Sequence, residues 1–307
     1  MRIVFFGTPE FAVPPLRALL EEGFDVVGVV TQPDRPHGRS RSRVVAPPVK
    51  AVAEAEGLPV LQPDRPVGDV FVKALQRLGA DIGVVVAYGH VLRPEILSIP
   101  PKGMLNVHAS LLPRLRGAAP VQWAILNGDE TTGVSIMQME AGLDTGPVIH
   151  RIETEIPADE TGGELLVRLA ELGAAALVEA LTLMAAGAGR AEPQNDELAT
   201  YAPKITRESC RLRWSDDAAH LARVIRAFDP DPGAWAMLGE TEVKFFGARA
   251  VNEGGEPGTV LAVGNTAVIA GGVGAVEIQE VQPAGKKRMS ASAWCRGRRV
   301  TVGQRLQ

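Results

Sequence analysis

Cysteine is nearly missing from this chain: Cys210 and Cys295 are the only two in 307 residues. They lie far apart without ligand spacing, which argues against a disulfide framework and a zinc site, so a reducing cytoplasm is the expected compartment. Also missing is any apolar run near the roughly 20 residues that a membrane-spanning helix needs. The apolar start through Phe6 breaks at Gly7-Thr8-Pro9-Glu10, too early for a secretory core, and reads as a first strand. The turn after it, Gly7 to Ala12, has no G-x-G-x-x-G spacing, so a dinucleotide is not indicated. Acidic residues stop at Glu280, while Lys286, Lys287, Arg288, Arg296, Arg298, Arg299 and Arg305 follow.

What is present is a globular composition, 46% hydrophobic and 22% charged, with length enough for two domains. The net charge of −4 hides an asymmetry. Residues 1–202 carry 17 Lys and Arg against 25 Asp and Glu, whereas residues 203–307 carry 15 against 11. A basic end on an acidic protein suits a polyanion held there; a solubilising terminus is the plainer alternative.

The first two hundred residues alternate strand and helix. Apolar strands are expected at 2–6, 25–31 and 80–88, with helices at 11–22, 48–56, 69–78, 119–127 and 163–186. Strands apolar throughout, alternating with helices, predict an α/β fold: a Rossmann-like, mostly parallel sheet with helices on both faces. Ligands of such sheets gather at the carboxyl ends of the strands. The pattern dissolves after 186. One helix at 217–228 and about five short strands then suggest a small C-terminal OB-like β-barrel. The expected organisation is a catalytic domain at 1–186, a linker at 187–205 and the barrel domain at 206–307.

Three polar residues mark the chemistry. Asn106 and His108 sit two apart on a short apolar strand, so both side chains leave one face. Asp144 lies in Gly142-Leu143-Asp144-Thr145-Gly146. An amide and an imidazole can donate to a developing oxyanion while a carboxylate orients the ring or handles protons. No convincing nucleophile accompanies them, so acyl transfer without a covalent intermediate is expected. Read alone, Asn-x-His on a strand is more often structural, and Asp-Thr-Gly is ordinary turn chemistry. His37, His90, His150 and His220 have no nameable partners and read as surface or core histidines. No metal site is expected.

These segments resemble a known family. Phe6-Gly7-Thr8-Pro9, Thr31-Gln32-Pro33-Asp34-Arg35-Pro36, the run from Asn106 to Gly117, and Leu143-Asp144-Thr145-Gly146 match the methionyl-tRNA formyltransferases. So do Tyr201-Ala202-Pro203-Lys204-Ile205 and the run from Gln282 to Met289, and the similarity extends nearly end to end. The two central motifs are shared by the wider 10-formyltetrahydrofolate-dependent formyltransferases, and the others narrow the match. The resemblance implies transfer of the formyl group of 10-formyltetrahydrofolate to the α-amino group of methionyl initiator tRNA, with Asn106, His108 and Asp144 catalytic. It implies a folate site lined by Ser110, Leu111, Leu112 and Pro113, with Val86, Tyr88 and Gly89 contributing. It also implies tRNA contacts from Arg35, Arg39, Arg41, Arg43, Lys204, Lys286, Lys287 and Arg288. The loop Gly38 to Arg43 departs from the family's Gly-Arg-Gly pattern and is about one residue longer, though it keeps its basic character. A formyltransferase acting on a small amine, such as a nucleotide or amino sugar, is the alternative. A monomer is the default expectation.

Overall fold

The computed structural model describes residues 1–37, 43–298 and 300–307. Two compact units are interleaved in sequence. The first comprises Met1–Gly117, Thr132–Thr154 and Leu166–Tyr201; the second comprises Ala118–Thr131, Glu155–Leu165 and Ala202–Gln307. Much of the span expected to be a linker thus lies within the first unit.

A seven-stranded sheet dominates the first unit. Its order is Val148–Glu155, Thr131–Gln138, Met104–His108, Ile82–Val86, Arg2–Gly7, Asp25–Val30, Val60–Leu61. From Met104–His108 to Val60–Leu61 every neighbouring pair is parallel, as the unbroken apolar runs predict. Every residue of Ile82–Val86 is buried, so both faces of the sheet are covered there. The helix Val13–Glu21 starts on a proline pair whose fixed φ suits a first turn, and Asp69–Leu78 ends on left-handed Gly79.

Three strands of this sheet escape the sequence pattern: the two-residue Val60–Leu61 and two longer ones. Thr131–Gln138 runs antiparallel to Met104–His108 and carries Thr132 and Ser135, both fully buried. Buried small hydroxyls break the hydrophobic periodicity that marks a strand. Val148–Glu155 lies at the sheet edge, where half-exposed Arg151 and exposed Glu153 dilute its signal.

The second unit holds an antiparallel sheet in the order Ala234–Leu238, Thr241–Val251, Ala275–Pro283, Ala267–Ala270, Val260–Val263, with Met289–Ser290 paired to Ala275–Pro283. Its core centres on Phe245, which meets Trp214 and Trp294 edge-on at centroid distances of 5.8 and 6.3 Å. The expected barrel is not closed strand to strand: the path ends at Ala234–Leu238 on one side and Val260–Val263 on the other. Instead the segment 303–307 hydrogen-bonds to both edges. Val260 N donates to Gln304 O (2.8 Å), Leu306 N to Gly258 O (2.9 Å), and Met237 and Gln307 exchange two bonds of 2.8 Å. Unpaired edge groups are thereby satisfied without another full strand. Asp217 caps the helix Ala218–Ala227, accepting from His220 N at 2.7 Å. No helix among the described residues is long and apolar enough to cross a membrane.

Candidate active site

The strand Met104–His108 lies inside the sheet, between Ile82–Val86 and Thr131–Gln138. Leu105 and Val107 are buried on one face. Asn106 and His108 share the other, roughly 7 Å apart along the strand. Asn106 is half-buried, opposite Met137; His108 is 6% exposed, opposite Ser135.

After His108 the chain folds back on itself. Ser110 N donates to His108 O (2.9 Å), and Ser110 Oγ to Arg114 O (2.6 Å). Ser135 Oγ donates to Ser110 O (2.7 Å) and accepts from Leu112 N (3.0 Å). Both hydroxyls are thus committed to holding the loop. The return brings Leu115, at φ +57°, under the imidazole, where its carbonyl lies 2.9 Å from His108 Nε2. A carbonyl only accepts, so Nε2 carries a hydrogen and the neutral ring has its lone pair on Nδ1.

Nδ1 faces Asp144 Oδ2 at 3.8 Å, beyond direct hydrogen-bond range but close enough for charge interaction. Asp144 is 13% exposed in its side chain and adopts a left-handed φ of +52°. Its Oδ2 accepts from Gly117 N at 2.8 Å. Gly146 closes the same turn, where an added Cβ would stand 1.8 Å from Gln138 O, so no larger residue fits. His108 and Asp144 are therefore brought together as the sequence predicts, and Asn106 shares the strand face of His108.

Residues that sequence reasoning missed hold this arrangement. Gln194 Nε2 donates to Asp144 O (2.8 Å) and Gly146 O (2.7 Å). Its Oε1 accepts from Arg116 Nε (3.1 Å) and Nη2 (2.9 Å). Arg116, 2% exposed, also pairs with Asp196 Oδ1 at 2.7 Å. Thr200 Oγ1 accepts from Leu115 N, and Thr200 O from Arg116 N. Nothing in Leu115-Arg116-Gly117 marks the arginine as buried, and only that burial shows that it requires partners.

The other expected site residues divide. Val86 ends a buried strand and leads into Ala87, at φ +46°. The Tyr88 ring does not line an open crevice: it packs edge-on against Phe6 at 5.4 Å within the apolar core, and burial pushes its phenol up to about 12. Its carbonyl instead accepts from Thr8 Oγ1 and Gln32 Nε2, each 3.0 Å away. At Gly89 (φ +87°) a Cβ would lie 2.4 Å from Gln32 Nε2. Leu112 is buried with Met137 and Val148, while Leu111 and Pro113 are half-exposed.

Among the expected tRNA contacts, Arg35 is exposed and hydrogen-bonded to Gln32, and its segment pairs with Arg43–Val45. Arg39 and Arg41 lie outside the described residues. Lys204, Lys286 and Lys287 are exposed. Arg288 is already paired within the protein. It pairs with Asp229 Oδ1 (2.8 Å) and Glu280 Oε2 (2.7 Å) and stacks 4.1 Å over Phe246, because buried Asp229 needs a counter-charge. Among the described residues no group of three His, Cys, Asp or Glu is placed to hold a metal ion.

An imidazole facing a carboxylate beside a strand amide, on the strand where the parallel and antiparallel parts of the sheet meet, is a set of groups able to serve acyl transfer. The chain belongs to the formyl transferase family: the model described as "Formyl transferase" matches residues 1–181, and "Formyl transferase, C-terminal domain" matches 204–299. It is 50% identical over 311 residues to the methionyl-tRNA formyltransferase of Halorhodospira halophila, covering 100% of this chain and 99% of that protein. The methionyl-tRNA formyltransferase of Marinobacter nauticus is 45% identical, with 100% of both chains covered. Among solved structures, the methionyl-tRNA formyltransferase from Clostridium thermocellum superposes with a TM-score of 0.56 at 14% identity, over 83% of this chain and 95% of that one. HypX from Aquifex aeolicus in complex with tetrahydrofolic acid gives 0.64 at 21% identity, over 96% of this chain and 47% of that one. At these identities the two structures attest the fold.

Proposed function

We propose that this protein transfers the formyl group of 10-formyltetrahydrofolate to the α-amino group of methionyl initiator tRNA, for translation initiation. The observation that carries the chemistry is the imidazole fixed by Leu115 O on one side and open toward Asp144 on the other. Full-length relatives at 42–50% identity support the acceptor.

The amine nitrogen attacks the formyl carbon, a C–N bond forms, and the carbonyl electrons move to oxygen. Asn106 supplies an amide donor to that oxyanion. His108, with Nε2 tied down, exchanges a proton at Nδ1, and an imidazolium formed there faces the Asp144 carboxylate. As the tetrahedral centre collapses, its bond to the folate nitrogen breaks and that nitrogen takes the proton lost by the amine. The commitment of Ser110 and Ser135 hydroxyls to carbonyl oxygens supports direct transfer over a covalent seryl intermediate. The folate is taken to enter along Ser110–Pro113 and the 86–89 turn, where main-chain groups and half-buried Leu111 provide the lining. Positive φ at Ala87 and the tight packing at Gly89 support a turn shaped for close approach.

The C-terminal unit serves the tRNA, with Lys286 and Lys287 as exposed cations on it and Arg35 on the first unit. The protein works as a monomer in the cytoplasm. A formylation assay on the full chain, with charged initiator and elongator methionine tRNAs beside an amino-sugar nucleotide, tests the assignment. Initiator tRNA is expected to be the preferred acceptor; formylation of the sugar with charged tRNA left untouched would replace this reading by the small-amine one.

A further inference from the structure

Both partners of the His108 ring are held from one distant stretch, 194–200. Thr200 anchors Leu115, whose carbonyl fixes Nε2. Gln194 anchors the turn that carries Asp144 opposite Nδ1. We propose that Gln194 is a positioning residue for formyl transfer, setting the carboxylate of Asp144 against His108; this rests on the role of Asp144 given above.

The argument is one of saturated valence. A primary amide has two donor hydrogens and an oxygen with two lone pairs. Buried Arg116 occupies the oxygen with two N–H groups, which fixes the orientation of the amide. Both amide hydrogens then point at the carbonyls of Asp144 and Gly146, at 2.8 and 2.7 Å. These two bonds fix the Asp144–Thr145 and Gly146–Pro147 peptide planes, at either end of the turn. They help hold Asp144 at φ +52°, a left-handed conformation that aspartate adopts more readily than most residues but that still has to be selected over the extended one. The carboxylate leaves from that backbone, so rotating the turn moves it away from Nδ1. Neither hydrogen bond involves the Asp144 side chain, which is free to act on the ring while accepting from Gly117 N.

Glutamate at 194 is the sharp test. It keeps the size and the Arg116 pairing but sets a carboxylate oxygen against two carbonyl oxygens. Gln194→Glu is expected to lower kcat about 100-fold, the scale of a 1 Å misplacement, with KM for tRNA and folate within about twofold of wild type. Gln194→Met removes both donors without adding repulsion and is expected to lose about tenfold, which keeps the test open should the glutamate variant unfold.

Steady-state kinetics of Asp144→Asn, each Gln194 variant and the corresponding doubles separate the outcomes. If Gln194 acts through Asp144, each double variant turns over no more slowly than Asp144→Asn alone, within about twofold. Losses that multiply in the double, or full kcat in folded Gln194→Glu and Gln194→Met, overturn the positioning role. Full turnover by Asp144→Asn alone would instead remove the catalytic reading on which the proposal rests.

Discussion

Around His108 the backbone is bent and polar; around Phe245 it is regular and apolar. Ala87, Leu115 and Asp144 are the non-glycine residues with positive φ among those described, and all three lie in the segments assigned to the site. They are held by side-chain bonds that span long stretches of chain, such as Leu115 to Thr200 and Asp144 to Gln194. The second unit instead relies on a ladder of antiparallel pairs packed over Trp214, Phe245 and Trp294. Strain at a site requires over-determination by neighbours, whereas a sheet domain that offers surface charge requires only a stable platform. The function proposed for the first unit therefore rests on a few bonds, and that proposed for the second is spread.

That contrast predicts different failures. Phe245→Ala empties the centre of the second core, where the ring is fully buried between two tryptophans. It should cost about 3–5 kcal/mol of stability. Formylation per folded molecule should keep its kcat, measured at low temperature beside a denaturant melt. Loss of kcat without loss of stability would break the comparison.

His108→Ala should do the reverse. Removing the group that exchanges the amine proton lowers kcat about 10²–10⁴-fold, while tRNA affinity changes little. Nearly unchanged turnover would show that the Leu115 and Asp144 contacts serve packing alone.

How far the chain could be read follows the same division. The strand at 104–108 was legible because Asn106 and His108 interrupt an apolar run on one face. The parallel sheet was legible from uninterrupted apolar strands. Asp144 stood out through its Gly-rich turn and the family resemblance, but the partners of that turn did not. Gln194 and Arg116 are 78 residues apart and Gln194 and Asp144 50 apart. Polar residues in an aperiodic stretch read as linker, since periodicity reports only which face is buried and not which amide meets which carbonyl. Ser135 and Thr132 hid a strand for the same reason. The basic tail was legible as charge, yet not as arrangement: only coordinates reveal that Arg288 is taken up by Asp229 and Glu280 while Lys286 and Lys287 remain exposed.

The finest test of the contrast sets those adjacent cations against one another. A lysine that meets a phosphate releases a counterion, so each lost contact flattens the dependence of log K on log salt by roughly 0.7–0.9. Lys286→Ala with Lys287→Ala should therefore reduce the salt slope of tRNA binding by roughly 1.5, weaken binding at low salt, and leave the melting temperature and folate KM in place. Arg288→Ala should behave oppositely. It leaves buried Asp229 without its guanidinium, and because Arg288 is itself 35% exposed the cost is discounted to about 1–2 kcal/mol. Its salt slope should stay near wild type, since its charge is already met within the protein. If instead Arg288→Ala flattens the slope and the lysine pair does not, the polyanion competes for Arg288, and Asp229 and Glu280 are partners that tRNA displaces.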